Sequence, residues 1–378
     1  MLVGAGCEGR PLPSQDEGDF GIEDEEEGGD GDGDANTEAS GDGDGDSGTT
    51  SGTGPVECFS VVDELVIDKD TDPESVTCVE RVLGDLTVGP TTGPLDLSML
   101  SNLERVDGKL YFHANYALTK IEGLDKLEYV NWLHVRRNPN LDNLAGFEAL
   151  TTLNRLTISS NDGLTSLAGL PEGLSPSRIE VDTNDVLSSL DGLPSFVPAP
   201  DAPATRFEVT YNPMLVDLAG ISDCCSNLSL SLALEGNPAL TDLDGLEAFM
   251  RLEVLELHDN WGLVDLDGLD NLVEVGDFTI DYDHCMPNAS PSLMDLGGAE
   301  QLVTIGTLEL EQISSLTSLS GLDKVATIDK LFIRNNDALP WSDMDALQTQ
   351  TDPAVHVLCG GVDAPIECPP EDPCPGSN

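Results

Sequence analysis

The chain has 378 residues and a formal net charge of −55, with 71 Asp and Glu against 16 Lys and Arg. An average field of that sign repels phosphate, which excludes nucleic acid as a general partner and disfavours an anionic membrane surface. Nine cysteines are many for a reducing compartment, so disulfides and an oxidising, extracytoplasmic environment are expected.

In chain order, residues 1–7 read Met1-Leu2-Val3-Gly4-Ala5-Gly6-Cys7, which resembles the end of a bacterial lipoprotein signal. Six residues are too few for a charged and apolar leader, so the expectation is the remnant of a longer signal. The resemblance implies lipid anchoring to a membrane through Cys7, at the cell surface or outer membrane; without lipidation the chain is secreted. Residues 8–55 follow as an acidic Gly/Asp-rich linker, and residues 1–55 together carry 16 acids and one base. Such a segment buries too little apolar surface to offset its ordering entropy and is expected to be a disordered tether. Its Asp30 to Asp34 and Asp42 to Asp46 runs resemble the start of a calcium loop, but Gly41 or Thr53 stands where the twelfth-position Glu is needed, so no metal and no other cofactor is expected. No run of about 18 apolar residues is present to span a membrane.

From residue 56 to 361 the sequence repeats. Aligning the first apolar residue of each short strand gives Leu86, Leu110, Leu133, Leu156, Ile179, Phe207, Leu232, Leu255, Phe278, Leu308, Leu331 and Val355. Most steps are about 23 residues, the period of a solenoid. Five residues after the strand start stand Asn115, Asn138, Asn161, Asn184, Asn212, Asn237, Asn260 and Asn336, with Asp283 and Ile313 breaking the column. An inward Asn at a coil corner satisfies backbone groups that the turn leaves unpaired, so this column is read as a structural ladder. A later column of glycines, including Gly123, Gly146 and Gly268, marks a bend needing positive φ or close backbone approach. Strands at constant phase must lie side by side in parallel. A lone coil cannot fold: fixing it costs roughly 1–2 kcal/mol per residue, and inward apolar side chains return only about 1.5–3 kcal/mol each. The fold class expected is a β-solenoid with one parallel sheet, coils of about 23 residues and little helix.

The recurrent L-x-[IVL]-x-x-N-x-x-L-x-x-L-x-G-L, nearly complete from Leu232 to Leu246 and from Leu255 to Leu269, resembles the receptor L domain. That family is a leucine-rich-repeat-like module which also occurs in tethered bacterial and fungal surface proteins. The Leu three residues after the Asn, as in Asn115 to Leu118, departs from standard leucine-rich repeats and matches this variant. The resemblance covers residues 58–361 and implies a right-handed solenoid that binds other molecules, without supplying the ligand.

Cysteines gather at the two ends, where Cys58 and Cys78 bracket the first weak coil and Cys359, Cys368 and Cys374 follow the last strand; capping disulfides are expected among them. Cys224-Cys225 and Cys285 fall in or beside irregular coils expected to bulge outward as loops. Their spacings give no zinc pattern. A Cys/Pro-rich tail spans residues 362–378. Asn227-Leu228-Ser229 and Asn288-Ala289-Ser290 match glycosylation sequons, expected to be silent behind a bacterial-type start.

Residues one before, one after and three after each aligned position should point out of the sheet. The first outward column runs Lys109, Trp132, Arg155, Arg178 and Arg206; the second begins Tyr111 and His134; the third begins His113 and Arg136. Cations and aromatics on one face of an acidic chain suggest an interaction surface for a protein or an anionic glycan. The competing reading is that Arg178 and Arg206 merely pair with Glu180 and Glu208. The rival function is a carbohydrate-active parallel β-helix enzyme using Asp277, Asp281, Glu309 and Glu311, but no His or Arg shares their strands. A non-enzymatic, surface-tethered recognition or adhesion module is the expectation, with a purely structural envelope protein as a third reading.

Overall fold

The computed structural model describes residues 59–198, 204–283 and 291–369. Cys7, the acidic linker, Cys58, Cys285, Cys374 and the Asn288 sequon therefore lie outside the described residues.

The described chain is a parallel β-solenoid of about 12 turns. Two short pairs open it: β1 (Val61–Val62) with β3 (Arg81–Val82), and β2 (Leu65–Ile67) with β4 (Leu86–Val88). Strands β5 (Arg105–His113), β6 (Tyr129–Arg136), β7 (Thr152–Ser159), β8 (Arg178–Asp182), β9 (Thr205–Thr210) and β10 (Leu230–Glu235) follow. The sheet continues through β11 (Arg251–His258), β12 (Glu274–Asp281), β13 (Thr304–Glu311), β14 (Thr327–Arg334) and β15 (Val355–Cys359). From β5 on, every strand pairs in parallel with the next, so each coil contributes one strand to a single sheet. The register is the sequence period made spatial: Leu110, Leu133, Leu156, Ile179, Phe207, Leu232, Leu255, Phe278, Leu308 and Leu331 form one file of paired residues. All ten are 0% exposed. The longer steps before Phe207 and Leu308 leave the register intact.

One alignment changes at the last strand. Val355 pairs with Lys330 in an outward file, and His356 takes the place opposite Leu331. The cause is helix α1 (Trp341–Thr351), which replaces the usual coil back and buries Met344, Leu347 and Thr351 against the end of the core. This helix caps the C-terminal end, where the sequence reading placed only disulfides. Cys359 is bonded to Cys368 across nine residues, a closure expected to be worth about 2–3 kcal/mol in the chain-entropy account. Cys78 is also disulfide-bonded.

The coil holding Cys224 and Cys225 does not bulge. Both are at most 1% exposed and bonded to each other in a short helix, α2 (Ile221–Cys225), that turns them into the core.

The asparagine ladder is fully buried and directional. Asn138 donates from its backbone N (3.1 Å) and its amide nitrogen (3.2 Å) to Asn161 Oδ1. Asn161 in turn donates to Asn184 Oδ1 from its backbone N at 3.1 Å, and its amide nitrogen reaches the Val135 carbonyl at 2.9 Å. The column stops at Asn260, where Tyr282 donates its hydroxyl to the Asn260 carbonyl (3.3 Å). It resumes when Ile313 donates its N–H to Asn336 Oδ1 at 2.9 Å.

Just before each ladder position the backbone turns left-handed. Ala114, Arg137, Ser160, Thr183, Tyr211, Asp259, Gln312 and Asn335 all have φ between 51° and 60°. Each such residue costs roughly 1–2 kcal/mol. The corner is held because its N–H still reaches the next coil, as from Ala114 to the Arg136 carbonyl (3.0 Å) and from Ser160 to the Asp182 carbonyl (3.0 Å).

Candidate ligand-binding face

The strand registers set the outward side chains in three files. Lys109 stands beside Trp132, Arg155, Arg178 and Arg206 in the first; Tyr111 stands beside His134, Thr157, Glu180 and Glu208 in the second; His113 stands beside Arg136, Ser159 and Asp182 in the third. All nine predicted ligand-binding residues therefore share one face, but they divide into two chemically different groups.

The first group is an aromatic and cationic patch on β5 and β6. The His134 ring lies 4.7 Å from the Tyr111 ring and 5.4 Å from the Trp132 ring, stacked nearly parallel to the latter at 7°. Tyr111 also stacks on His113 (4.9 Å) and bonds its Nδ1 through the hydroxyl (2.8 Å). The faces of Trp132 are taken by cations, with Lys109 Nζ 5.0 Å and Arg155 Cζ 4.1 Å from the ring centre. Each contact of this kind contributes about 0.5–2 kcal/mol and holds the indole rigid. The indole N–H donates to Thr157 Oγ1 at 3.0 Å.

The second group is an ion-pair ladder. Arg155 donates to both Glu180 oxygens (2.8 and 3.0 Å), and Thr157 adds a third bond to that carboxylate at 2.6 Å. Arg178 bridges Glu180 and Glu208, reaching the latter at 2.8 Å. Arg206 pairs with Glu208 and lies 3.7 Å from Glu256. Burial alone would raise the Glu208 carboxyl, but its hydrogen bond to Arg206, aided by both arginine charges, holds it below the usual carboxylate range. For Arg178 and Arg206 the pairing reading is the one the geometry displays.

Among the described residues, Lys109, Arg136 and Arg137 have no ion-pair partner. Their effect is visible on the two histidines. His134 falls to about 3, first because burial disfavours its charged form and then because Lys109, Arg136 and Arg155 repel a proton. His113 is lowered for the same reasons, by burial and then by Arg136, Arg137 and Lys109. A chain of net charge −55 thus carries a locally positive field here.

The C-terminal half of the face has the opposite sign. Burial by itself would lower His258, but its bond to Asp281, with Asp281, Glu256 and Glu235 nearby, raises it above the ordinary value. Arg334 on β14 bridges Glu309 and Glu311, the latter at 2.6 Å. Three of the four carboxylates weighed for catalysis, Asp281, Glu309 and Glu311, therefore do have basic partners, which reach them from flanking strands and which a strand-by-strand reading passes over. Away from the sheet, Asp191, Asp217, Asp223, Asp244 and Glu247 line a shallow depression of about 400 Å³, and the charge of Asp242 foremost raises Asp244. Among the described residues no group of three or more His, Cys, Asp or Glu is placed to hold a metal ion, and no helix is long and apolar enough to cross a membrane.

The histidine shifts have opposite signs in pH. His134 is depressed, so the stability it contributes is present above its unfolded value near 6.5 and is lost as pH falls toward 3. Going from pH 7 to pH 5 should remove about 2 kcal/mol through this group. His258 is raised, so its contribution is present below 6.5 and is lost as pH rises through its folded value. Ring-proton NMR should show His134 neutral at pH 5 and His258 titrating above 6.5, and His134→Gln should shrink the acid loss in urea melts by about 2 kcal/mol. A His134 that titrates near 6.5 would refute the buried, cation-ringed environment. Comparison with protein-family models, with curated proteins and with solved structures finds no match for this chain.

Proposed function

We propose that this chain is a non-enzymatic recognition or adhesion module of the receptor L-domain type, a right-handed leucine-rich-repeat-like solenoid that binds a protein or glycan on its parallel-sheet face. It is anchored at the cell surface or outer membrane through Cys7 and spaced from the membrane by the acidic residues 8–55. The observation that carries the reading is the patch on β5 and β6, where rigidly stacked aromatic rings stand beside Lys109 and Arg136, which form no ion pair with any described acid. Sheet faces kept only for solubility pair their charges across strands, as Arg178 and Arg206 do with Glu208. Lys109 and Arg136 are arranged otherwise, and aromatic residues beside cations are the composition of recognition surfaces.

The test is a screen of immobilised glycans and surface-protein ectodomains against the full chain, repeated with Trp132→Ser and Arg155→Glu combined. Ligands retained by the wild type should be lost, with an unchanged circular dichroism spectrum. Equal binding by the variant would remove the site, and turnover of any polysaccharide would establish the enzyme reading in its place. In cell fractionation, Cys7→Ser should move the protein from the membrane to the soluble fraction.

A further inference from the structure

Resting on the sheet-face reading just given, we infer that the patch formed by Lys109, Tyr111, His113, Trp132, His134 and Arg136 is a binding site for an acidic polysaccharide, a glycan bearing carboxylate or sulfate groups. Three observations favour this occupant. The sign comes first: Lys109, Arg136 and Arg137 have no ion-pair partner among the described residues, and none of the nine positions that β5, β6 and β7 give to the three outward files is acidic. The one acid of these strands, Asp107, is held by Arg81 and Arg105, while Asp85 accepts from the Lys109 backbone N–H. The rest of the face turns negative from β10 onward, through Glu235, Glu256 and Asp281, and so directs an anion to the β5 to β7 end.

Ring orientation comes second. The electron-rich faces of Trp132 are occupied by Lys109, Arg155 and His134, and Tyr111 lies between His113 and His134. What remains for a ligand is the ring edges, which carry the positive end of the aromatic quadrupole. Edges flanked by cations suit an anion and do not offer a free ring face.

The third observation separates a glycan from a protein. Protein interfaces centre on a desolvated apolar core depleted of charge, yet the nine outward positions on β5 to β7 contain no aliphatic side chain. Accessible there are cations, the Tyr111 and Trp132 rings and the Tyr111 hydroxyl, while Thr157 and Ser159 are buried, at 7% and 6% exposure, and bonded to Glu180 and to His134 Nε2 (3.3 Å). His134 Nδ1 is buried and has no hydrogen-bond partner. This is a surface matched to a hydroxyl-rich, negatively charged polymer.

The experiment is calorimetry of the full chain with four probes: an oligogalacturonate hexamer, a heparin-derived hexasaccharide, maltohexaose as the neutral control and a glutamate dodecapeptide as the acidic-peptide control. At least one anionic hexasaccharide should bind, maltohexaose should not, and raising salt from about 0.05 to 0.5 M should weaken binding at least about tenfold. Lys109→Glu with Arg136→Glu should weaken it about 100-fold through two lost charge-assisted contacts. Lys324→Glu, an exposed site bonded to Gln301 away from the sheet face, should leave it unchanged. Binding of the glutamate peptide alone, lost in the double variant, would overturn the glycan assignment while leaving the sheet-face reading standing. Glycan binding unaffected by the double variant, or binding of neither anionic hexasaccharide, would overturn the inference outright.

Discussion

Gly146→Ala is expected to remove at least about 4 kcal/mol of stability, among the largest losses any single substitution produces. The residue sits at φ +124°, and a Cβ built there would lie 1.6 Å from the Ile121 carbonyl oxygen of the preceding coil. Neither partner can yield by a side-chain rotation, because both are backbone. The coils must separate, and each coil derives its stability from its neighbours. Gly173→Ala isolates the conformational share of this effect: Gly173 has φ +84° but nothing within 4 Å of a new Cβ, so only about 1–2 kcal/mol should be lost. Urea midpoints of the two variants decide the matter. Equal losses would mean that the close approach of the coils contributes nothing.

Asn161→Ala should cost about 2–6 kcal/mol. The amide is fully buried, and its removal leaves the Val135 carbonyl without its donor and the Asn138 backbone N–H without its acceptor, while the Asn138 amide nitrogen keeps the Phe112 and Arg136 carbonyls at 3.0 Å each. Each orphaned buried group costs about 1–3 kcal/mol. Asn161→Asp should be no better, since a carboxylate accepts from Asn138 but cannot donate to Val135 and brings a charge into the core. Asn140, which is exposed and bonds the Tyr116 carbonyl, is the control; its alanine variant should fall within about 0.5 kcal/mol of wild type. An Asn161→Ala chain that melts like the Asn140→Ala chain would remove the ladder from the account of what holds the corners.

The strand registers were readable from the sequence because every coil repeats the same inward residues at the same phase, so counting from Leu110 to Leu133 was equivalent to measuring across the sheet. That equivalence failed at Val355, where an 11-residue helix stands in for a coil back and shifts the count by one. The spacing of Trp341, Met344 and Leu347, free of Gly and Pro, held the signal for that helix. The left-handed corner was hidden for a different reason. Its occupants range from Ala114 to Thr183 and Tyr211, and no residue preference marks a conformation imposed by hydrogen bonds on either side. On the binding face, composition located the cations, but only the cross-strand geometry separated Arg178 and Arg206, engaged by Glu180 and Glu208, from Lys109 and Arg136. The acids at Asp281 and Glu311 needed the same geometry, since His258 and Arg334 belong to neighbouring strands.

From β5 onward each strand bonds only to the strand one coil away, so the chain distance between partners stays small from one end to the other, lengthening only at steps such as Ile179 to Phe207 and Phe278 to Leu308. The entropy of closing such a loop grows only with the logarithm of its length, and here it is incurred afresh for each coil without reference to how many precede it. The array therefore has no built-in size. Duplicating or deleting one whole coil changes the reach of the sheet while preserving the strand ladder and the inward apolar file, and the number of coils is open to be set by the span of whatever the face must cover.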